Sequence, residues 1–262
     1  MTHRLDWAER RAPEFDAIDP ATAIAILPTA AIEQHGPHLP VGTDTMIMEG
    51  MLERFRATCP GDIDPWILPI QAVGKSNEHI WSKGTLTLGA VEALAAWTEI
   101  GLSVARTGLR KIVIVNSHGG NLDLISILSR ELRVRVGMLA VKCQWGNFGY
   151  PEGLYSADEH AYGIHGGDVE TSLMLALRPE CVDMAQATRF DSAAQTDLIP
   201  PIGPISRGWI ASDLNPAGTV GDASRATAEK GAQTADHQVL GFIDLIRQVR
   251  DMPVPTQPAS LA

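Results

Sequence analysis

The chain has 262 residues, 45% of them hydrophobic and 20% charged. That is too apolar for a disordered polymer, and long enough to bury roughly 70–75% of its unfolded surface without a disulfide or metal staple. A formal net charge of −10 is the wrong sign for a protein that rides on phosphate backbones, and no Lys/Arg cluster offsets it, so neither nucleic acid nor an anionic membrane surface is an expected partner.

The N-terminal stretch carries charges throughout, and no run approaches the roughly 18 apolar residues of a membrane helix. Neither a signal peptide nor a span is expected, and three widely spaced cysteines (Cys59, Cys143, Cys181) fit a reduced, cytoplasmic protein. A short apolar run over 21–27 predicts a buried strand ended by Pro28. A polar loop over 33–45 and a helix over 46–56 follow, then a second strand over 66–70, a polar loop over 73–83 and a short segment over 85–88. An amphipathic helix over 91–107 leads into the strongest strand signal, 111–115 (KIVIV), and then into a helix from about 121 to 134. A strand over 137–142, a helix over 169–177, an aperiodic Pro/Gly-rich stretch over 191–215 and a last helix over 223–249 complete the pattern.

Strands alternating with helices imply parallel pairing through right-handed crossovers. The expectation is therefore an α/β fold, a three-layer α/β/α sandwich with a mainly parallel central sheet, in one domain spanning 1–262 and frayed from about 253. In such sheets ligands sit beyond the carboxyl ends of the strands. The loops after 27, 70 and 115 leave from such ends, and six of the eight histidines (His35, His38, His79, His118, His160, His165) fall in polar, glycine-bearing loops.

Glu33 and His35 point the same way if the segment is extended, and Gly36, Pro37 and Pro40 turn the chain so that Asp44 can return toward them. Oxygen and nitrogen ligands without sulfur suit Zn, Mn or Fe(II). The competing reading makes Asp44 an N-cap of the following helix. His118 ends a strand and precedes Gly119 and Gly120, where a backbone can approach a ligand closely. Asp168 and Glu170 open a helix, where negative charge is favoured with or without chemistry, but the apolar helix that begins at once would partly enclose Glu170 and leave it in need of a cation or a proton.

Taken in order, E-Q-H-G-P-H-L-P-x-x-T-D, G-x-S-x-E-H-x-x-x-x-G-T-L-T-L, N-S-H-G-G-N and H-G-G-D-x-E-T-S resemble the creatininase (creatinine amidohydrolase) family over most of the chain, as do residues 218–222 and 226–231. The resemblance implies a binuclear divalent metal centre of Zn, Mn or Fe, hydrolysis of C–N bonds in cyclic amides or related small molecules, and a homo-oligomer, commonly a hexamer. It makes Glu33, His35, Asp44, His118 and Glu170 the metal ligands, with Asp44 bridging. It makes His165 the catalytic histidine, backed by Asp168 or Glu78. Ser76 and Trp145 become substrate contacts, beside Gly119 and Gly120.

Where creatininase has a Trp-Asp pair before the aligned histidine, this chain has Ala161-Tyr162, which argues against creatinine itself. The expected reaction is attack on a lactam, cyclic amide or formamide carbon by a hydroxide bridging two ions. The alternatives are a non-catalytic metal or small-molecule binder, or a peptide-maturing or deformylating hydrolase of the same superfamily. His38, His79 and His160 are left without a task.

Overall fold

The computed structural model describes residues 5–256. The expected frayed tail carries no helix or strand over 253–256, and its remainder lies outside the described residues. Four parallel strands, β1 (Ala23–Thr29), β2 (Asp64–Ile67), β3 (Lys111–Asn116) and β4 (Leu139–Gln144), stand in the order β2-β1-β3-β4. The α-helices among the described residues are α1 (Thr43–Thr58), α2 (Ala90–Arg106), α3 (Leu122–Val136), α4 (Ala157–Tyr162), α5 (Asp168–Leu177), α6 (Ala211–Leu214) and α7 (Ala228–Asp251). A two-stranded antiparallel ribbon pairs β5 (Arg189–Phe190) with β6 (Gly221–Asp222).

The strands are apolar on both faces because both are covered. Ile24, Ile26, Val113 and Val115 face Met48, Phe55, Met174 and Phe242 of α1, α5 and α7. Ala25, Leu27, Ile112 and Ile114 face Trp97, Val104, Leu128 and Leu132 of α2 and α3. The result is the expected α/β/α layering.

Several boundaries differ from the sequence reading, each for a local reason. Pro28 does not end β1, which runs on to Thr29. The Pro28 carbonyl accepts from Gln71 N–H on the β2 side, and its missing N–H faces that same side, beyond the last residue of β2, where no ladder bond is lost. The second strand is Asp64–Ile67 and stops ahead of Pro69; the segment at 85–88 contributes only a bridge from Leu86 to Ile32. Gly137 is not in β4 but closes α3 in the left-handed conformation, at φ 70°. The last helix starts at Ala228, after a short 3-10 turn, because Thr227 caps it by accepting from Lys230 N–H. None of the three cysteines is paired, and no helix among the described residues is long and apolar enough to cross a membrane.

Candidate metal centre

The carboxyl ends of β1 and β3 open into a cavity of about 890 Å³ whose lining includes Glu33, Asp44, His118, His165 and Glu170. The loop after β1 is pinned by Glu33 N–H donating to the Val41 carbonyl, and Gly36 turns it at φ 75°. Gly42, not Asp44, occupies the N-cap of α1, so Asp44 sits inside the first turn with its carboxylate free to face the loop. A tie between strand ends holds the floor: Asn116 Oδ1 accepts from Thr29 Oγ1 (3.0 Å) and Asn121 Nδ2 (3.1 Å), while Asn121 also donates to the Ala30 carbonyl and accepts from Lys75 N–H.

Asp44 lies between two histidines. One of its oxygens is 3.6 Å from His35 Nε2 and the other 3.3 Å from His118 Nδ1. Glu33 Oε1 is 3.2 Å from His118 Nδ1, and Glu170 Oε2 is 3.9 Å from His35 Nε2. The outward nitrogen of each ring is already spent. His35 Nδ1 donates to the Glu33 carbonyl (3.0 Å) and His118 Nε2 to the Lys75 carbonyl (2.9 Å), since a carbonyl can only accept. This is the outer-shell pattern that fixes the tautomer of a metal-binding histidine.

The inward atoms have nothing comparable. His35 Nε2, Glu33 Oε2 and Asp44 Oδ2 are buried without a hydrogen-bond partner. Orphans of that kind are costly unless a proton or a cation sits among them. In the metal-free protein the site draws in protons: burial opposes charge on His35, but Asp44, Glu170 and Glu33 lift its pKa to about 9. His118 is raised for the same reason, its burial outweighed by Glu33 and Asp44. Glu170 is raised as well, pushed by burial up to about 7. Among the described residues, Glu33 with His35 and Asp44, His35 with His165 and Glu170, and Glu33 with His79 and His165 form groups that could hold a metal ion.

Residues 8–246 match the family model for creatininases, described as creatinine amidohydrolase. The chain belongs to the creatininase family. A mycofactocin precursor peptide peptidase of Mycobacterium tuberculosis (strain ATCC 25618 / H37Rv) is 32% identical over 247 residues, covering 90% of this chain and 89% of the relative. A creatinine amidohydrolase of Pseudomonas putida is 28% identical over 262 residues, covering 93% and 95%. A solved structure, Creatininase Mn, has a TM-score of 0.72 at 24% identity and covers 95% of this chain and 99% of its own.

Within this creatininase-family site, the remaining residues singled out by sequence divide into two groups. Gly119, Gly120 and Trp145 line the cavity with His165. Gly120 must be glycine, because a Cβ there would fall on the Glu78 carboxylate, the His118 ring and the Lys75 carbonyl. Trp145 is at the same time core, its ring edge-on to Phe242 at 5.0 Å.

The others have different partners from those expected. Ser76 is fully buried, with its Oγ 3.1 Å from His118 Nε2, so it faces the back of that ring and not the cavity. Glu78 lines the cavity, but it pairs with Lys75 (2.6 Å) and lies 3.9 Å from His118 Nε2. Asp168, expected to back His165, turns instead to α7, where it pairs with Lys230 Nζ at 2.6 Å and accepts from Ser172 Oγ. What backs His165 is the Gln34 carbonyl, 2.7 Å from His165 Nε2, which leaves His165 Nδ1 facing Glu33 Oε1 at 3.5 Å.

Gln34 and His79 are the residues the sequence reading passed over. The Gln34 amide accepts from Gly36 N–H and spends its two protons on the Gly218 carbonyl and on His79 Nδ1 (2.8 Å). His79 Nε2 therefore carries the hydrogen and points it at Glu33 Oε1, 3.6 Å away. The available signal was the alternation in Glu33-Gln34-His35, which puts Gln34 on the opposite face from two ligand candidates.

His38 is a strut: its Nε2 donates to the Gly166 carbonyl (3.0 Å) and its ring stacks on Phe190. Burial pushes its pKa down to about 4. The unfolded chain therefore binds a proton between about pH 6.5 and 4 that the folded one refuses, so this stability is present above pH 6.5 and lost as pH falls. At full effect the loss is on the order of 3 kcal/mol. His38→Gln, which can still donate to Gly166, is expected to flatten the acid limb of a stability-against-pH curve over that window; an unchanged limb contradicts the assignment.

Proposed function

We propose that the protein is a metal-dependent hydrolase that cleaves a C–N bond of an amide substrate. The observation that carries this is the convergence of buried acceptor atoms on both sides of Asp44, with every outward histidine nitrogen already committed to a carbonyl. Glu33, Asp44 and His118 would hold one divalent ion, and His35, Asp44 and Glu170 the second; Zn, Mn and Fe all suit such a donor set. Bound ions would supply a water acidified toward neutral pH and a polarised amide oxygen.

The protein's own residues do the rest. Burial, with His35 nearby, keeps His165 uncharged, its pKa well below the ordinary value. Its Nδ1 is free to take a proton from the attacking water and return it to the leaving nitrogen, while the bond to the Gln34 carbonyl stops the ring from turning. His79 holds its N–H toward Glu33 and keeps that carboxylate in place.

For substrate, a lactam, cyclic amide or formamide follows from the resemblance. The cavity favours a second reading. At about 890 Å³ it is near the top of the range for drug-sized ligands and roomy for a single small ring. A peptide amide is therefore a serious candidate, in keeping with the name of the 32%-identical relative.

Metal analysis of the purified protein followed by a panel of lactams, cyclic ureas, formamides and short peptides tests both readings. His165→Ala is expected to lower turnover by about 10²–10⁴ while the ions stay bound. Undiminished hydrolysis in chelator-treated protein would refute the proposal.

A further inference from the structure

A buried carboxylate outside the ligand set sits where it can control half of the centre. Glu159, on α4, is 5% exposed. Its Oε1 accepts from Val169 N–H (3.2 Å) in the first turn of α5, and its Oε2 accepts from Asp222 N–H (3.1 Å) on β6. No cationic side chain pairs with it among the described residues. It lies in a cradle of three glycines: a Cβ on Gly163, Gly167 or Gly221 would meet the Glu159 side chain. Leaving out three side chains to admit one carboxylate is a specific arrangement, and the positive end of the α5 dipole accounts for the charge.

The segment this carboxylate grips is the one that carries the chemistry. Between α4 and α5 run Gly163, Ile164, His165, Gly166 and Gly167. The His165 carbonyl accepts from Val220 N–H (2.8 Å) and Thr219 Oγ1 (2.6 Å), just ahead of the β6 residue that Glu159 holds. Glu170 stands one residue beyond Val169 and accepts from Gly166 N–H. Glu159 therefore ties the start of α5, at one end of the turn, to the β6 strand alongside it. Both of its oxygens are committed to backbone donors, so it is built to hold and not to carry protons.

We propose that Glu159 is a positioning residue for the half of the centre formed by His35, Asp44 and Glu170. It acts through the α5 N-terminus and has little effect on the half formed by Glu33, Asp44 and His118. This rests on the two-ion reading above. The neighbouring half is tied to the strand ends through Asn116 and Asn121 and does not depend on α5.

Glu159→Gln keeps the shape but puts an N–H₂ against a backbone N–H, and Glu159→Asp keeps the charge but shortens the reach. Metal-free protein is titrated with Mn²⁺ alone, followed by calorimetry and by electron paramagnetic resonance, with a thermal melt of each variant. The wild type is expected to take two ions. Each variant should take the first with unchanged affinity and the second about 10–100-fold more weakly, giving the spectrum of an isolated Mn²⁺ at half loading, with Glu159→Asp no worse than Glu159→Gln. Two ions bound as in the wild type, or both weakened alike, overturns the proposal. So does loss of a cooperative melt in both variants, which would make Glu159 a folding residue. A wild type that takes up no Mn²⁺ overturns the two-ion reading itself, before any variant is compared.

Discussion

Asp44→Asn is expected to deprive the protein of both metal ions and of all measurable amide hydrolysis. Among the described residues, this carboxylate alone comes within 4 Å of both candidate histidine ligands, with an oxygen 3.6 Å from His35 Nε2 and the other 3.3 Å from His118 Nδ1. An asparagine of the same shape keeps one acceptor and replaces the other with a donor, which cannot ligate a cation. Affinity for both ions should fall by more than the roughly 10–100-fold that loss of an outer-shell partner costs. Glu170→Gln is the contrast, because Glu170 stands beside His35 and His165 but not His118, and its loss should cost one ion only. Metal content after dialysis reads the difference directly, and an Asp44→Asn protein that retains two ions would rule out the bridging role.

Lys230→Met is expected to destabilise the fold by about 2–3 kcal/mol, less than for a fully buried ion pair because the Lys230 side chain is 19% exposed. Asp168 is 2% exposed and sits 2.6 Å from Lys230 Nζ. Without the ammonium it keeps only Ser172 Oγ and the field of its own helix N-terminus. The double variant Lys230→Met with Asp168→Leu should recover much of the loss, since the stranded charge is removed along with its partner. Chemical denaturation of the metal-free proteins checks both. A single variant within about 0.5 kcal/mol of wild type would show that the pair contributes little.

Much of the site could be read from residues alone, and the reasons are physical. Alternation in an extended loop aligned Glu33 with His35, and a strand end followed by two glycines marked His118. Both rules are local, and the structure brings these side chains together around Asp44. What local rules could not reach were partners fixed by packing between distant segments. Asp168 was, with Glu78, one of the two carboxylates expected to back His165, but α5 turns it toward Lys230, 62 positions on. Support for His165 comes from a backbone carbonyl, a group every residue has and no motif displays. Ser76 was legible as part of a motif but not as lying behind His118. On the fold, the four strands of the parallel sheet and helices α1, α2, α3, α5 and α7 were legible in order, whereas α4, α6 and the β5–β6 ribbon were not expected. Boundary errors fell at single prolines and glycines, as Pro28 continued a strand and Gly137 closed a helix where it had been read as opening a strand.

The brace between α5 and α7 also sets an order of events. The glycine of α7 at position 231 lies so near α5 that a Cβ would strike the Ser172 carbonyl, and the next turn of contacts carries the Lys230 pair. Helix α5 takes its seat largely against α7, although α7 supplies none of the candidate ligands. The parallel sheet closes loops of moderate length and can form early, whereas the centre joins residue 33 to residue 170 and depends on a helix that begins at 228. Contacts that span so much chain form last, because the loop-closure entropy must be met first. A chain that lacked α7 would therefore carry Glu33, His35 and Asp44 but leave α5, with Glu170 in its first turn, without the helix it packs against.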